Sequence, residues 1–336
     1  MSISSGNIFH LAGAALRWRL FGRRRPVNVM LAVTDRCDSR CAMCRIPELN
    51  RPEMSLAQIQ TILGDAAAFG CQRLGLWGGE PLLRDDLGAI IAAAKRLGLF
   101  VTVDTNGHRL PESDERLAGV DHLNISLDGD RAAHDAVRGP GSFDKTMRGL
   151  EHAGGRYRFW TLTVLTRANL DQVDWLLRLA RERKFFAAFQ VLHHNDLLGC
   201  NEPWRPDPRE LRETVRLLLA RKREGWPIAS SRRYLEHLLD WPDFRAIRSS
   251  EPRRRFACAA GALYCNVDVN GDVYPCSLLI GERPAPSAVA LGFRAAFARL
   301  AAPDCRQCLA ACFTEYNQLF TLDWDTGWNW VSVLRR

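Results

Sequence analysis

The sequence contains no long hydrophobic run and no recognisable secretory signal. No apolar stretch approaches the roughly 20 residues of a membrane-spanning helix, and no signal-peptide cleavage site opens the chain. Motifs typical of nucleic-acid-binding proteins are also missing. With 47% hydrophobic and 25% charged residues among 336, the composition is typical of a globular protein of about two domains. We therefore expect a cytoplasmic protein for which nucleic acid is not a partner.

Cysteine, by contrast, is abundant, with eleven in the chain. Without a secretory signal, this number indicates reduced thiols and metal ligation rather than disulfides. Three of them, Cys37, Cys41 and Cys44, are separated by three and then two residues. This spacing is too tight for a disulfide framework and unusual for a structural zinc site. Three thiolates from one loop can hold three irons of a 4Fe–4S cluster and leave the fourth iron open for catalysis.

Short apolar runs alternate with amphipathic stretches along the first 192 residues. The runs predict buried parallel strands over 28–34, 73–77, 100–104, 122–127, 159–165 and 186–192. The stretches between them predict helices over 55–69, 85–97, 142–153 and 170–184, with Ser55 as an N-cap. Six βα units imply an α/β fold with a parallel sheet and right-handed crossovers. We expect a partial (β/α)6 TIM-like barrel, with functional residues on the loops that follow the strands.

Polar motifs occur at these strand ends. Paired glycines let a ligand approach the backbone closely, and a carboxylate beside them can accept hydrogen bonds from an ammonium group. Each motif is weak alone, because Gly-Gly and Thr-Asn-Gly are also ordinary turn sequences. Their order on successive strands makes them candidate binding residues: Gly78, Gly79 and Glu80 after the second strand, Asn106 after the third, and Ser126 and Asp128 at the fourth.

These motifs together resemble those of the radical S-adenosylmethionine (SAM) superfamily. The three-cysteine loop, the Gly78-Gly79-Glu80-Pro81 turn and the segment from Asn124 to Gly129 are similar in identity, order and spacing. The resemblance implies that SAM chelates the open iron and is cleaved reductively. The products would be methionine and a 5′-deoxyadenosyl radical, which abstracts a hydrogen atom from the substrate. Cys37, Cys41 and Cys44 would then be both metal ligands and catalytic residues.

The resemblance also assigns cofactor contacts. In the family, the loop matching Gly78, Gly79 and Glu80 binds the SAM amino group, and the position matching Ser126 contacts SAM. Met43 stands where an aromatic residue is usual, and a thioether also packs well against rings. Arg138 resembles a residue that reaches the SAM carboxylate by a bidentate contact; the alternative is a surface arginine on a helix.

A second group of cysteines lies after residue 255. Asn270-Gly271 is a strong hairpin signal, and Cys305-x-x-Cys308 presents two thiolates to one metal. The region resembles the auxiliary-cluster modules called SPASM when complete and twitch when shortened. We expect one auxiliary 4Fe–4S cluster, on Cys258, Cys276, Cys305 and Cys308 with Cys312 as the alternative fourth ligand, and Cys265 as a core thiol. The alternatives are two auxiliary clusters or a small zinc ribbon.

The predicted function follows from both groups. A fully ligated auxiliary cluster would transfer electrons, giving oxidation or cross-linking of a peptide or small-molecule substrate. Flavodoxin or ferredoxin would supply the first electron. His193 and His194 follow the sixth strand, and one of the two is a candidate substrate contact. A protein of another class, a non-catalytic iron–sulfur or zinc-binding protein, remains an alternative.

The ends of the chain suggest further segments. Five arginines between residues 17 and 25, beside aromatic and leucine residues, predict a basic amphipathic helix. It either packs on the main domain or lies on an anionic membrane, which suits an enzyme of lipid-linked precursors. The expected organisation is this helix over 1–26, the barrel over 27–205, a helical connector over 206–255, the auxiliary-cluster domain of a β-hairpin plus helix over 256–320, and a tail over 321–336.

Overall fold

The computed structural model describes residues 5–193, 195, 197, 199, 202–251 and 257–335. An eight-stranded sheet in the order β6-β5-β4-β3-β2-β1-β8-β9 forms the centre of the fold. The two further strands, β7 and β10, pair with each other in a small antiparallel sheet. The strands are β1 Asn28–Thr34, β2 Arg73–Gly78, β3 Phe100–Thr105, β4 His122–Ser126, β5 Phe159–Leu165, β6 Phe186–Val191, β7 Arg248–Ser249, β8 Tyr264–Val267, β9 Val273–Tyr274 and β10 Gln307–Cys308.

Helices cover the outer face of the sheet and also form the first and last elements of the chain. Helix α3 shows how local sequence sets these elements: Ser55 Oγ accepts the Gln58 backbone N–H, and the Gln58 side chain accepts the Ser55 N–H. The helices are α1 Ser5–Phe21, α2 Ile46–Leu49, α3 Leu56–Phe69, α4 Leu87–Arg96, α5 Arg131–Arg138, α6 Ser142–Ala153, α7 Val173–Arg183, α8 Pro208–Arg223, α9 Arg232–Leu239, α10 Ala288–Leu291, α11 Phe293–Ala298, α12 Ala311–Phe320 and α13 Trp324–Arg335.

The predicted partial barrel is confirmed. Strands β1 to β6 are parallel neighbours in chain order, and the six predicted strands match within a residue or two. The predicted helix over 85–97 begins later, at Leu87, and the one over 170–184 begins as a 3-10 turn. Alternate residues of each strand face either the helices or the barrel lumen. Outward residues such as Leu74, Val101 and Leu123 are fully buried in the main core.

The C-terminal region extends the barrel sheet. The predicted hairpin is formed by β8 and β9, and its turn includes Gly271 at φ +89°. Strand β8 also pairs in parallel with β1, so the hairpin continues the barrel sheet beyond its first strand. Arg51 ties the two strand ends together through ion pairs with Asp35 and Asp268. The open side of the barrel is covered by α12, which packs against β6, and by α13.

Helix α1 packs on this C-terminal region. Ala14 and Ala15 are buried in a second hydrophobic cluster that also contains Cys276, Cys308 and Phe313. The helix therefore packs on the C-terminal region, whereas one of the two predicted alternatives was packing on the main domain. Among the described residues, no helix combines the length and the apolar character needed to cross a bilayer.

Candidate active site

The three predicted cluster ligands share one cavity at the carboxyl ends of the barrel strands. Cys37, Cys41 and Cys44 follow β1 and line a chamber of about 310 Å³ together with Met43. The opposite walls come from the ends of β2 to β6. We call this cavity the upper chamber. The fold therefore brings the first cysteine group to the end of the barrel where functional loops meet.

The thiols of this loop are partly buried and electrostatically coupled. Burial raises the pKa of Cys37 to about 12, and it also raises the pKa of Cys41 and Cys44. The Ser39 backbone N–H donates to Cys37 Sγ across 3.4 Å. Such thiols must lose their protons when they bind iron, so cluster binding depends on pH. Within the described ranges, no three His, Cys, Asp or Glu side chains stand in an arrangement that would hold a metal ion, and the ligand set stays a prediction.

Gly78 and Gly79 pack against the cysteine loop. A Cβ at Gly78 would lie 2.3 Å from the Thr34 carbonyl oxygen, and one at Gly79 would lie 2.2 Å from that of Arg36. Gly78 also has φ +136°, which side chains rarely adopt. The Gly79 and Glu80 backbone N–H groups donate to the Thr34 and Arg36 carbonyls. The glycines therefore bring the β2 loop into direct contact with the cysteine loop, and both line the upper chamber.

Glu80 connects the loops beneath this chamber. Its carboxylate accepts hydrogen bonds from the Leu82 N–H at 3.0 Å, the Thr105 hydroxyl at 2.8 Å and the Asn106 N–H at 2.7 Å. Burial raises the pKa of Glu80 to about 7, although these hydrogen bonds favour the ionised form. A carboxylate has about four lone-pair sites. Glu80 is buried and does not itself line the upper chamber, so its contact with an ammonium group stays a prediction.

Asn106 and Ser126 both line the upper chamber. The Asn106 amide donates to Asp38 Oδ1 at 2.8 Å and to Ser39 Oγ at 3.0 Å. It therefore holds the end of β3 against the cysteine loop. Ser126 is the last residue of β4, and its half-buried side chain faces the same space. Both residues therefore share the chamber with the three cysteines, and their contacts with a cofactor stay predictions.

Arg138 is buried rather than at the surface. It ends α5 and lines the upper chamber, where its Nε donates to Asp128 Oδ2 across 2.5 Å. Burial lowers the pKa of Arg138, but the neighbouring Asp128 raises it more, so the net shift is upward. Cys41 and Cys44 also face the guanidinium. Asp128 does not line the chamber, and its other oxygen accepts the Val164 N–H. Asp128 therefore binds Arg138, and the direct contact predicted between Asp128 and the cofactor is not supported by its position.

The second cysteine group also comes together. Cys276 and Cys308 are buried in the cluster beneath α1, and Cys258 packs at its edge. Burial is the main cause that raises the pKa of Cys276, and its thiolate is further opposed by Cys308, Cys258 and Cys305. The Cys258 Sγ lies 3.8 Å from the Tyr264 hydroxyl. The four thiols of Cys258, Cys276, Cys305 and Cys308 therefore lie close enough to influence one another electrostatically, and their role as ligands of an auxiliary cluster stays a prediction.

Cys265 and Cys312 are the two remaining cysteines of the C-terminal region. Cys265 is 1% exposed in the main hydrophobic core, because its position in β8 faces away from the lumen. Cys312 is the second residue of α12 and borders a second cavity in the barrel. Burial, and then the charge of Asp104, raises the pKa of its thiol. Its thiol is exposed to that cavity although protein surrounds it. Cys312 also lies near enough to Cys308 to raise the pKa of that thiol, so its alternative role as the fourth cluster ligand stays open.

The second cavity, which we call the lower chamber, has a volume of about 290 Å³ inside the barrel. It shares six wall residues with the upper chamber: Trp77, Asp104, Leu162, Gln190, His193 and Ser277. His193 thus lies at the junction of the two chambers, and burial lowers its pKa. Its contact with a substrate stays a prediction. The second candidate, His194, lies outside the described residues.

Sequence reasoning missed most residues of the lower chamber. Four of them are inward-facing residues of β2, β3 and β4: Arg73, Asp104, His122 and Asn124. The apolar content of a strand predicts that it is buried but does not show which of its polar residues line a cavity. A signal exists in the polar residues at every second position of β3 and β4. Burial raises the pKa of Asp104 to about 6, against a hydrogen bond of 2.5 Å from Asn124 Nδ2.

A parallel partial barrel with three closely spaced cysteines after its first strand is typical of a class of iron–sulfur enzymes. Comparisons with known proteins specify the family. The model of the radical SAM superfamily matches residues 31–180. The pre-heme d1 synthase of Dinoroseobacter shibae is 30% identical over 76% of this chain and 69% of its own length. The chain belongs to the radical SAM superfamily.

Two further matches cover more of the chain than the family model does. Mycofactocin maturase MftC of Mycobacterium tuberculosis is 28% identical over 78% of this chain and 67% of its own length. The structure of Streptococcus suis SuiB with S-adenosylmethionine matches with a TM-score of 0.65 at 17% identity, over 82% of this chain and 66% of that one. The chain spans about two thirds of the length of these relatives. It is an enzyme with a SPASM-type C-terminal region, which removes the non-catalytic alternative.

Proposed function

We propose that this enzyme cleaves SAM reductively at a 4Fe–4S cluster on Cys37, Cys41 and Cys44 and uses the 5′-deoxyadenosyl radical to abstract a substrate hydrogen atom. One observation carries the proposal: the three cysteines share a single chamber with Gly78, Gly79, Ser126 and Arg138. Arg138 supplies a fixed cation for a carboxylate, and the glycines leave backbone groups accessible. The chamber therefore offers contacts to both polar ends of a methionyl group.

We further propose one auxiliary 4Fe–4S cluster on Cys258, Cys276, Cys305 and Cys308. Four thiolates leave no open iron, so its role would be electron transfer and the net reaction an oxidation or cross-link. The substrate would be a peptide or a small molecule, and flavodoxin or ferredoxin the electron donor. A structure of SuiB bound to a precursor peptide supports the first class, and the pre-heme d1 synthase supports the second.

The test is anaerobic reconstitution followed by reduction with dithionite. Two clusters predict about eight iron atoms per chain, and the reduced enzyme should convert SAM to 5′-deoxyadenosine. Cys41→Ala should abolish this product, whereas Cys71→Ala should not, because Cys71 lies in the core at the opposite end of the barrel. Retained 5′-deoxyadenosine formation in Cys41→Ala would contradict the proposed site.

A membrane-peripheral location is a second candidate, favoured by one surface. Large apolar side chains of α1 and of the start of α13 remain exposed, with Phe21 70% and Trp324 83% exposed. The two elements are neighbours, since Arg19 Nη1 donates to the Thr321 carbonyl at 3.2 Å. Tryptophan, apolar side chains and arginine together suit an anionic lipid interface. On this alternative, the enzyme acts on a lipid-linked precursor.

Liposome flotation tests the membrane candidate. The double variant Phe21→Ser/Trp324→Ser should lose binding to vesicles with one third anionic lipid, and 0.5 M salt should weaken wild-type binding. Leu97→Ser is the matched control, because Leu97 is exposed on another face. If the double variant floats as wild type does, the surface is not a membrane contact. Without that contact we infer a cytoplasmic enzyme, consistent with ten described cysteines that form no disulfide.

A further inference from the structure

The lower chamber extends from the cofactor end of the barrel down to the start of its strands. Trp77 and Asp104 lie at its junction with the upper chamber, and Arg73 lies four residues earlier on the same strand as Trp77. At about 3.3 Å per residue, Arg73 starts about 13 Å below that junction. A molecule in the lower chamber would therefore point one end toward Arg73 and present the other to the upper chamber.

Arg73 contributes a cation to this wall without a carboxylate partner. Its guanidinium stacks on the Phe100 ring at 4.4 Å and faces the Trp330 ring at 5.7 Å. The two wall carboxylates bond elsewhere: Asp104 accepts from Asn124, and Glu315 accepts from Ser231 and Trp330.

Among the described residues, no carboxylate pairs with Arg73, and its Nε is buried without a hydrogen-bond partner. An arginine in such a place is suited to a planar anion.

Two further side chains in the same wall have buried polar atoms without hydrogen-bond partners. Asn266 is 1% exposed, and neither its amide nitrogen nor its oxygen has a partner. His122 is 4% exposed, its Nδ1 has no partner, and burial and then Arg73 lower its pKa to about 3, so the ring is neutral. Buried polar groups in proteins are almost always satisfied. These two side chains therefore point to a ligand with polar atoms of its own.

The remaining wall is aromatic. The His122 and Trp160 rings lie 4.1 Å apart, and the Tyr316 and Trp330 rings lie 5.4 Å apart on α12 and α13. All four border the lower chamber. Its volume of about 290 Å³ is at the small end of ligand cavities. A single flat ring with a short side chain fits this space, whereas a tetrapyrrole macrocycle is too large.

We propose that the lower chamber binds a carboxylate attached to a single aromatic ring, with Arg73 holding the carboxylate and the aromatic residues packing on the ring. This inference rests on the proposed function in one respect: the reacting end of the ligand would face the upper chamber. The carboxylate can belong to a free acid or to the end of a longer chain, since Arg73 recognises the same group in both. Asn266 would bind a further polar atom.

The test compares an acid with its amide on the anaerobically reconstituted enzyme. 3-Phenylpropionate and 3-phenylpropionamide are titrated by calorimetry, with Ala-Ala-Ala-Phe and its C-terminal amide as the chain-end arm. We expect each acid to bind about tenfold or more tightly than its amide. Tighter binding of the tetrapeptide than of the free acid identifies a chain end as the source, and the reverse identifies a small acid.

Variants locate the effect. Arg73→Gln should remove the preference for the acid, and Arg73→Lys should retain part of it. Arg178→Gln, on the exposed face of α7, should behave as wild type. Equal affinity for acid and amide in the wild type, no acid binding up to 10 mM, or a preference that survives Arg73→Gln would each overturn the inference. Since calorimetry needs no turnover, this failure is separate from loss of 5′-deoxyadenosine formation, which would overturn the proposed function.

Discussion

The buried ion pair between Asp128 and Arg138 yields a prediction about the upper chamber. Asp128 is fully buried, and its two oxygens accept from Arg138 Nε at 2.5 Å and from the Val164 N–H at 2.9 Å. Asp128→Asn keeps the shape of the side chain but replaces one acceptor with an NH2 group. That group must then face one of the two donors, and Arg138 loses its counter-charge.

The magnitude follows from the burial of both partners. Removing one partner of a buried ion pair costs about 3–5 kcal/mol, because the other charge is left unpaired. Arg138 is 9% exposed and faces the chamber, so we take the lower end, about 3 kcal/mol. At roughly 2 °C per kcal/mol for a long chain, the Tm of the apo protein should fall by about 6 °C. SAM affinity should fall by about tenfold, because the guanidinium is no longer held in position.

Differential scanning fluorimetry and SAM titration measure the two effects. Asp144→Asn is the matched control, because Asp144 pairs with Arg131 at the exposed surface. Solvent screens that pair, so we expect no measurable change in Tm or SAM affinity. If Asp128→Asn and Asp144→Asn have the same Tm, the reasoning from the buried pair is wrong.

Three further variants test other features of the site. Gly79→Ala should abolish SAM binding, because its Cβ would lie 2.2 Å from a carbonyl oxygen of the cysteine loop. The control is Gly64→Ala in α3, whose Cβ meets no atom within 4 Å. That variant should raise the free energy of unfolding by about 1 kcal/mol in thermal unfolding. Burial raises the pKa of Asp104 to about 6, so the folded state binds more protons and stability falls as pH rises from about 4 to 6. Asp104→Asn should remove this loss and stabilise the apo protein at pH 7 by about 3 kcal/mol; an unchanged Tm difference between pH 4 and pH 7 would count against it. Cys308→Ser should lower the iron content by about four atoms per chain, whereas Cys312→Ser should leave it unchanged. Equal loss of iron in both variants would instead identify Cys312 as a ligand.

Much of the barrel could be predicted because its information is local. Each strand is a short apolar run that must be buried, and Ser55 with Gln58 specifies the start of α3. The cysteine loop and Gly78-Gly79 could be located as well, since parallel strands bring their carboxyl ends to one edge.

The position of β8 was harder to foresee. Its pairing with β1 joins residues more than 230 positions apart, and no local pattern specifies such a partner. The hairpin was therefore predicted correctly, but its place as an extension of the barrel sheet was not.

The sequence by itself determined the family, the strand order and the two cysteine groups, because each depends on residue identity and short spacing. Only the tertiary structure decided which polar side chains face each other across the barrel. Asp128 binds Arg138, Cys312 borders the lumen, and Arg73 lies without a carboxylate partner among the described residues. These roles depend on the facing of alternate residues on different strands and on helices α12 and α13 closing the barrel. The alternation of polar residues in β3 and β4 indicates which residues face the lumen, but long-range packing decides which of them meet across it, and that packing leaves no local signal in the chain.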